Sequence, residues 1–237
     1  MKRITVLNGS RRKNGNTVTF VKKILDNLSA DEFRIEYIFP QDYTIMPCSG
    51  CGSCFDNIRC VNDDGLTILQ NKILTSDLFI IASPVYLHYM TADLKLILDK
   101  CSWWTHTFRL CGKPSVILST CDSNGHKTVL NALSDIITYM GGNVIATANA
   151  SQIPPQLNNE KWLNSVATEI AKRIEKFAYL PPQSNSFLEK YFVSMREVML
   201  TRSEFLKKRG MINGEVNYWE RTGMVNFKSF AEYLSTI

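Results

Sequence analysis

Four of the seven cysteines in this chain lie between residues 48 and 60. Their spacing is C-x2-C-x2-C-x5-C, and they are Cys48, Cys51, Cys54 and Cys60. Thiolates can hold iron, and three cysteines at consecutive two-residue spacings, closed by a fourth, suit a four-iron, four-sulfur cluster. The pattern therefore predicts a 4Fe–4S cluster, which exchanges single electrons.

Two other interpretations of these cysteines stay open. A four-cysteine zinc site commonly uses two separated C-x2-C pairs, whereas here a third cysteine follows at the same spacing. Alternatively, the four thiols are free and hold no metal. Ser49, Gly50 and Gly52 keep the loop small and flexible enough to wrap a cluster.

A second stretch that could bind a ligand is residues 8 to 17, N-G-S-R-R-K-N-G-N-T. The glycines permit a tight turn with bare backbone N–H groups, and the N-terminus of the following helix favours an anion. The stretch has neither the G-K-[ST] ending of a P-loop nor the G-x-G-x-x-G dinucleotide fingerprint. It predicts either a phosphate cradle or an ordinary turn in which Asn16 or Thr17 caps the helix.

Two more loops contain residues that could contact a flat ligand. In S-P-V-Y-L-H-Y-M-T, residues 83 to 91, Pro84 fixes the backbone and Tyr86 and Tyr89 could flank an aromatic ring. Residues 120 to 126, T-C-D-S-N-G-H, are small and polar enough to close over a ring edge. Each loop is equally compatible with a plain surface turn.

The elements that must position these loops alternate strand and helix five times. Such alternation predicts an α/β fold, a doubly wound parallel sheet with helices on both faces. Ligands bind such sheets outside the carboxyl ends of the strands, where all four loops converge. We expect strands at 4–7, 33–39, 77–82, 115–119 and 144–148, and helices at 16–28, 66–74, 91–103, 129–140 and 158–177.

The repeating pattern ends at Pro181 and Pro182. We therefore expect a domain over residues 1–180, which contains the cysteine loop 48–60, and a helical C-terminal extension over residues 181–237. Breaks in the extension are expected at Gly210, Gly214 and Gly223. Its aromatic residues would pack on the domain or on a second subunit.

Composition narrows the range of partners and locations. The net charge of +5 is scattered, without a long basic stripe, so nucleic acid is not an expected partner. No apolar run reaches the roughly 18 residues of a membrane span. The N-terminus enters a strand without a cleavable apolar leader, which predicts a reducing cytoplasm where cysteines stay unpaired.

The loops together resemble a known family. G-S-R-R-K-N-G-N-T followed by S-P-V-Y-x5-A-D-L-K resembles the flavodoxin-like, NAD(P)H-dependent FMN reductases, and the cysteine run resembles their iron–sulfur flavoprotein branch. The resemblance covers residues 2 to 178. It implies a flavodoxin-like sheet of five strands in the order 2-1-3-4-5, one FMN per subunit, a 4Fe–4S cluster on the four cysteines, and a homodimer or homotetramer.

The resemblance also implies cofactor-binding residues. Four would hold the FMN phosphate: Ser10, Arg12, Asn16 and Thr17. Three would lie against the isoalloxazine ring: Pro84, Val85 and Tyr86. Two would lie near the far edge of the ring: Thr120 and Gly125. Where family members often have an aromatic-Gly pair and a Gly-Gly pair, this chain has Leu87-His88 and Cys121-Asp122, which predicts a bulkier and more polar pocket.

These features predict an oxidoreductase, an enzyme like the NAD(P)H-dependent FMN reductases. It would pass electrons between NAD(P)H or ferredoxin and a small-molecule or protein acceptor through the cluster, with NAD(P)H stacking on the flavin as co-substrate. The alternatives are an FMN-only NAD(P)H:quinone or flavin reductase, a non-catalytic electron carrier, and a zinc-bound binding module. The sequence assigns no catalytic side chain.

Overall fold

The five strands form one parallel sheet in the order β2-β1-β3-β4-β5. This arrangement, seen in a computed structural model that describes residues 1–62 and 64–237, confirms the expected flavodoxin-like fold. The strands are β1 (Lys2–Asn8), β2 (Phe33–Ile38), β3 (Leu78–Pro84), β4 (Pro114–Cys121) and β5 (Asn143–Ser151).

Helices follow the strands and continue into the extension. Within the described residues, no helix is both long and apolar enough to cross a membrane. In chain order the helices are α1 (Asn16–Leu25), α2 (Ser53–Asn57), α3 (Leu66–Leu74), α4 (Ala92–Asp99), α5 (Trp104–Thr107), α6 (His126–Tyr139), α7 (Glu160–Tyr179), α8 (Ser186–Lys207), α9 (Gly214–Thr222) and α10 (Phe230–Leu234).

Apolar layers cover both faces of the sheet, which is why the central strands have almost no polar alternation. Neighbouring residues of β3 show the two faces. Ile80 packs in the layer that contains α1 and α7, whereas Ile81 packs in the layer that contains α3, α4 and α6. Every residue of β4 is buried. The helices therefore hold the strand ends, and the loops that follow them, in fixed positions.

Two expected helices are shorter than the sequence pattern indicated: α1 ends at Leu25 rather than at residue 28, and α4 differs more. Instead of running over residues 91–103, α4 ends at Asp99, and α5 begins at Trp104. Lys100, Cys101, Trp103 and Trp104 are all buried. The backbone here makes hydrogen bonds between residues three apart: the N–H of Cys101 donates to the carbonyl oxygen of Leu98 at 3.0 Å, and the N–H of Trp104 donates to that of Cys101 at 2.9 Å. These tighter turns interrupt the α-helix between Asp99 and Trp104.

Gly214 is not the break that the sequence suggested, because it is the first residue of α9. Asn213 caps that helix by accepting a hydrogen bond from the backbone N–H of Val216 at 3.2 Å. A Cβ at Gly214 would lie 2.3 Å from the carbonyl oxygen of Asp56 in α2. The glycine therefore permits a close approach between two backbones.

The extension packs on the core of its own chain around Phe108, the residue directly after α5. The centroid of the Phe108 ring lies 5.0 Å from the ring centroid of Phe230, 5.6 Å from that of Phe192 and 5.8 Å from that of Trp219. The indole N–H of Trp219 donates to the carbonyl oxygen of His106 at 2.7 Å. The division into two domains at residue 180 stays a prediction.

We expect Trp219→Ala to lower the free energy of unfolding by about 3–5 kcal/mol, because it removes a fully buried ring and its hydrogen bond. Chemical denaturation followed by fluorescence or circular dichroism would measure this. The matched control is Ile68→Ala on the exposed face of α3, expected within about 0.5 kcal/mol of the parent. Equal stability of the two variants would contradict the packing described here.

Candidate functional site

A cavity of about 740 Å³ opens at the carboxyl ends of β1, β3 and β4, within the size range of small-molecule sites. This is the edge where the strand order reverses between β1 and β3. Eight of the nine residues predicted to bind the cofactor line it: Ser10, Arg12, Asn16, Thr17, Pro84, Val85, Tyr86 and Thr120. Their contact with a cofactor remains a prediction.

The ninth residue, Gly125, supports the lining rather than forming part of it. It precedes α6 with φ +80°, a left-handed conformation that glycine adopts without a Cβ penalty. A Cβ at this position would lie 2.7 Å from Cγ1 of Val85. Gly125 therefore allows the backbone of the loop after β4 to pack closely against the side chain of Val85.

Three consecutive cations, residues 11 to 13, follow β1, and the outer two pair with carboxylates. The guanidinium of Arg11 donates to both carboxylate oxygens of Asp93 at 2.5 and 2.8 Å, and Lys13 pairs with Asp42 at 2.6 Å. Arg12 lines the cavity and has no carboxylate partner among the described residues. It is the side chain best placed to bind a phosphate.

Hydrogen bonds between strands and loops fix the walls of the cavity. The hydroxyls of Thr17 and Thr120 lie 2.6 Å apart and join the start of α1 to the end of β4. The backbone N–H of Val85 donates to the carbonyl oxygen of Thr120 at 2.8 Å. Asn8 accepts a hydrogen bond from the backbone N–H of Ser10 at 3.0 Å. This bond shapes the first turn of residues 8 to 17, the loop predicted to bind the FMN phosphate, which we call the phosphate loop.

A tight hairpin stands at the rim of the cavity. Tyr86 and Tyr89 exchange backbone hydrogen bonds of 2.9 and 3.0 Å. Between them, Leu87 and His88 have φ of +46° and +59°, which is uncommon for residues other than glycine. Leu87 is 97% exposed. The departure from the family pattern at these two positions therefore projects an apolar side chain beside the cavity.

Cys121 and Asp122, which the sequence comparison with the family pattern placed in the pocket, line the cavity. Three further lining residues were not singled out by sequence reasoning: Asn14, Gly15 and Gln152. The backbone N–H of Gln152 donates to the carbonyl oxygens of Cys121 and Asp122, at 3.0 and 2.9 Å. One available signal was missed, because the loop after β5 also leaves the carboxyl edge of the sheet. The Cys121 thiol lies 3.8 Å from Nδ1 of His126 and accepts from the Asn149 amide at 3.4 Å.

The four clustered cysteines line a second, much smaller cavity, so the fold brings all of them together. Gly50 and Gly52, with φ of +69° and +73°, turn the backbone around it. The backbone N–H of Gly50 donates to Sγ of Cys48 at 3.5 Å. N–H groups aimed at sulfur are among the features that tune iron–sulfur centres.

The surroundings change the pKa values of the thiols in different directions. Hydrogen bonds from the backbone of Ser53 and the hydroxyl of Ser49 lower the pKa of Cys51, which favours its thiolate. Burial raises the pKa of Cys54, and the nearby Cys48 and Cys60 raise it further. An anionic sulfur at Cys54 therefore gains from a bound cation.

These donors fit an iron–sulfur cluster in type and number, but the cavity is nearly closed. Its volume of about 20 Å³ is enough for roughly one water molecule. Among residues 1–62 and 64–237, no group of three or more Cys, His, Asp or Glu side chains is arranged to hold a metal ion. Binding a cluster therefore requires the loop to open around it.

The extension holds the helix that carries Cys54. Nδ2 of Asn213 donates to the Asp56 carboxylate at 2.9 Å, beside the close approach of Gly214. The ring of Phe55 stacks on the imidazole of His106, with 5.5 Å between the ring centroids. Nδ1 of His106 lies 2.8 Å from Oε1 of Glu215 in the extension. The fully buried Glu215 also accepts from Arg202 at 3.1 Å, which pairs its charge.

Comparison with known proteins decides the family. Residues 2–153 match the family model described as NADPH-dependent FMN reductase. The chain belongs to this family. An iron-sulfur flavoprotein of Archaeoglobus fulgidus is 27% identical over 221 residues, covering 90% of this chain and 100% of that protein. One of Clostridioides difficile is 25% identical over 232 residues, covering 94% and 99%.

Solved structures agree with the fold. RosB with bound 8-demethyl-8-formylriboflavin-5'-phosphate aligns with a TM-score of 0.57 at 17% identity, over 76% of this chain and 82% of that chain. The family membership identifies the chain as an FMN-dependent oxidoreductase and confirms the resemblance seen in its loops. The large cavity fits FMN, because its volume suits a small molecule and its lining combines Arg12, which pairs with no described carboxylate, with the residues predicted to lie against the isoalloxazine ring.

We expect Arg12→Gln to weaken FMN binding by about tenfold or more, because hydrogen bonds to charged groups are the strong ones. Riboflavin, which lacks the phosphate, should bind both proteins equally. The matched control is Arg11→Gln, whose guanidinium already pairs with Asp93. Flavin fluorescence titration would measure all these affinities, and equal losses for FMN and riboflavin would rule out a phosphate contact.

Proposed function

We propose that this chain is a redox enzyme with two centres, FMN in the large cavity and a 4Fe–4S cluster on Cys48, Cys51, Cys54 and Cys60. It would take electrons from NAD(P)H or a reduced ferredoxin and pass them to a small-molecule or protein acceptor. The observation that carries the proposal is the pair of separate cavities, one lined by the phosphate and ring loops and one by four free cysteines. The names of the two relatives support it.

The chemistry belongs to the cofactors: FMN exchanges a hydride or single electrons, and a 4Fe–4S cluster exchanges one electron at a time. The chain supplies binding and orientation. Arg12 and the N–H groups of the phosphate loop would hold the flavin phosphate, and Pro84, Val85 and Tyr86 would orient the ring. The N–H of Gly50 would hydrogen bond to a ligated Cys48.

A second candidate is an FMN-only reductase of NAD(P)H, quinone or flavin, in which the cysteines stay free. The small volume of the cysteine cavity and the exposure of Cys48 and Cys51 favour it. The family assignment argues against the zinc-bound binding module and the non-catalytic carrier, since the chain is an oxidoreductase.

A cytoplasmic location and a homodimer or homotetramer also belong to this proposal. The outer side of the extension carries exposed apolar side chains that a second subunit would cover, including Phe187, Val198 and Phe205. Light scattering after gel filtration would measure the mass. A monomer at micromolar concentration would contradict the expected assembly.

The proposal is tested by purifying the protein without oxygen and measuring FMN, iron, acid-labile sulfide and zinc per chain. It predicts one flavin with about four irons and about four sulfides, the content of a cubane. Flavin with neither iron nor sulfide would contradict the cluster and leave the FMN-only reductase. Flavin with one zinc would assign the cysteines to a structural zinc site.

We expect Cys54→Ser to lose most of the iron while it keeps the flavin, because Cys54 lines the cysteine cavity and is not part of the lining of the large cavity. The matched control is Cys111→Ser, outside this cavity, whose thiol donates to the carbonyl oxygen of Phe108 at 3.2 Å. Equal iron content in the two variants would show that Cys54 is not a ligand.

A further inference from the structure

A buried lysine lies beside the cysteine cavity. Lys100 follows α4 directly, and its side chain is only 1% exposed. It lines the same cavity as the four cysteines. Apart from the thiols, Lys100 carries the one charged side chain among the described residues of that lining. Sequence reasoning assigned it no role.

Lys100 connects both ends of the cysteine loop to the core. Its ammonium donates to the carbonyl oxygen of Asn62 at 3.1 Å and to both carboxylate oxygens of Asp64 at 2.8 and 2.9 Å. Asp64 in turn accepts from the backbone N–H of Met46 at 2.5 Å. Burial raises the pKa of Asp64, but these hydrogen bonds outweigh it and hold the pKa below its usual value.

The two charges of this pair differ in their position relative to the thiols. Lys100 belongs to the lining of the cavity, whereas Asp64 does not. A buried charge interacts strongly with its neighbours because little water screens it. Four thiolates around a cluster form an anion, and one-electron reduction adds another negative charge. A cation at this position therefore stabilises the reduced state more than the oxidised state.

We propose that Lys100 is the counter-charge of the cysteine site and raises the reduction potential of the cluster bound there. The inference rests on the proposed function, since it requires an iron–sulfur cluster on the four cysteines. Lys100 acts through its charge and is not a ligand or a catalytic residue. Asp64 offsets part of that charge and fixes the ammonium against the loop.

A purely structural role makes a different prediction. If the pair served only to close the loop, neutralising either partner would loosen the same contact and change the cluster in the same way. A counter-charge role predicts opposite effects. Lys100→Met removes a positive charge from the cavity wall, whereas Asp64→Asn removes a negative charge and keeps the ammonium.

The test is a redox titration of the whole protein with dithionite in the absence of oxygen, in which electron paramagnetic resonance measures the reduced cluster. Lys100→Met should make the cluster about tenfold or more harder to reduce, a shift of about 59 mV for one electron. Asp64→Asn should shift the potential upward. Lys100→Arg, which keeps the charge, should stay near the parent, and FMN content reports that each variant is folded.

The inference is overturned if Lys100→Met leaves the potential unchanged, or if Lys100→Met and Asp64→Asn shift it in the same direction. Either result, obtained on proteins that contain the cluster, leaves the proposed function standing. A parent protein without iron and sulfide overturns the proposed function and this inference together. The iron analysis of the parent therefore distinguishes the two failures.

Discussion

The pairing of β1 with β2 on one side and β3 on the other is the constraint on which the large cavity depends. The register places Asn8 of β1 beside Ala82 of β3, and Pro84 of β3 beside Thr120 of β4. The phosphate loop, the ring-side loop and the loop after β4 therefore begin at one edge of the sheet. Because the strands are buried on both faces, a shift in register would disrupt both apolar layers.

The cysteine loop is held by contacts with other parts of the chain, because it follows the edge strand β2 and buries few apolar side chains of its own. Lys100 and Asp64 hold its two ends from the side of α4. The extension holds its middle through α2, where the start of α9 meets Asp56. The extension therefore contributes to the geometry of the cysteines, in addition to burying its own aromatic residues around Phe108. These long-range contacts position the cysteine loop although its own backbone is irregular.

Much of the fold could be predicted from local patterns. The periodicity of α3 gave its bounds, Leu66–Leu74, and the apolar runs located all five strands and hence the sheet. Helix ends were harder, because the apolar pattern continues past Asp99 to Trp104, whereas the backbone there turns through hydrogen bonds between residues three apart. The same holds for Gly214, which looks like a helix breaker until its approach to α2 is known.

In the candidate site, too, some residues could be predicted from the sequence and others could not. Motif residues such as Arg12 could be proposed because the loop after β1 is recognisable, although only the ion pair between Arg11 and Asp93 shows which of the neighbouring cations faces the cavity. Lys100 could not be found from sequence, since its partner Asp64 lies 36 residues away and nothing in α4 indicates that contact. Sequence patterns report local structure, whereas buried charges are placed by tertiary contacts.

The central claim is that one chain holds a flavin and a cluster that exchange electrons. The most direct measurement adds limiting NADH or NADPH to the protein without oxygen, freezes it, and records the electron paramagnetic resonance spectrum of the cluster alongside flavin absorbance. The account predicts that bleaching of the flavin is accompanied by the signal of a reduced cluster, and that Cys54→Ser shows the bleaching alone. A parent protein whose flavin is reduced while an intact cluster, reducible by dithionite, stays oxidised would contradict it.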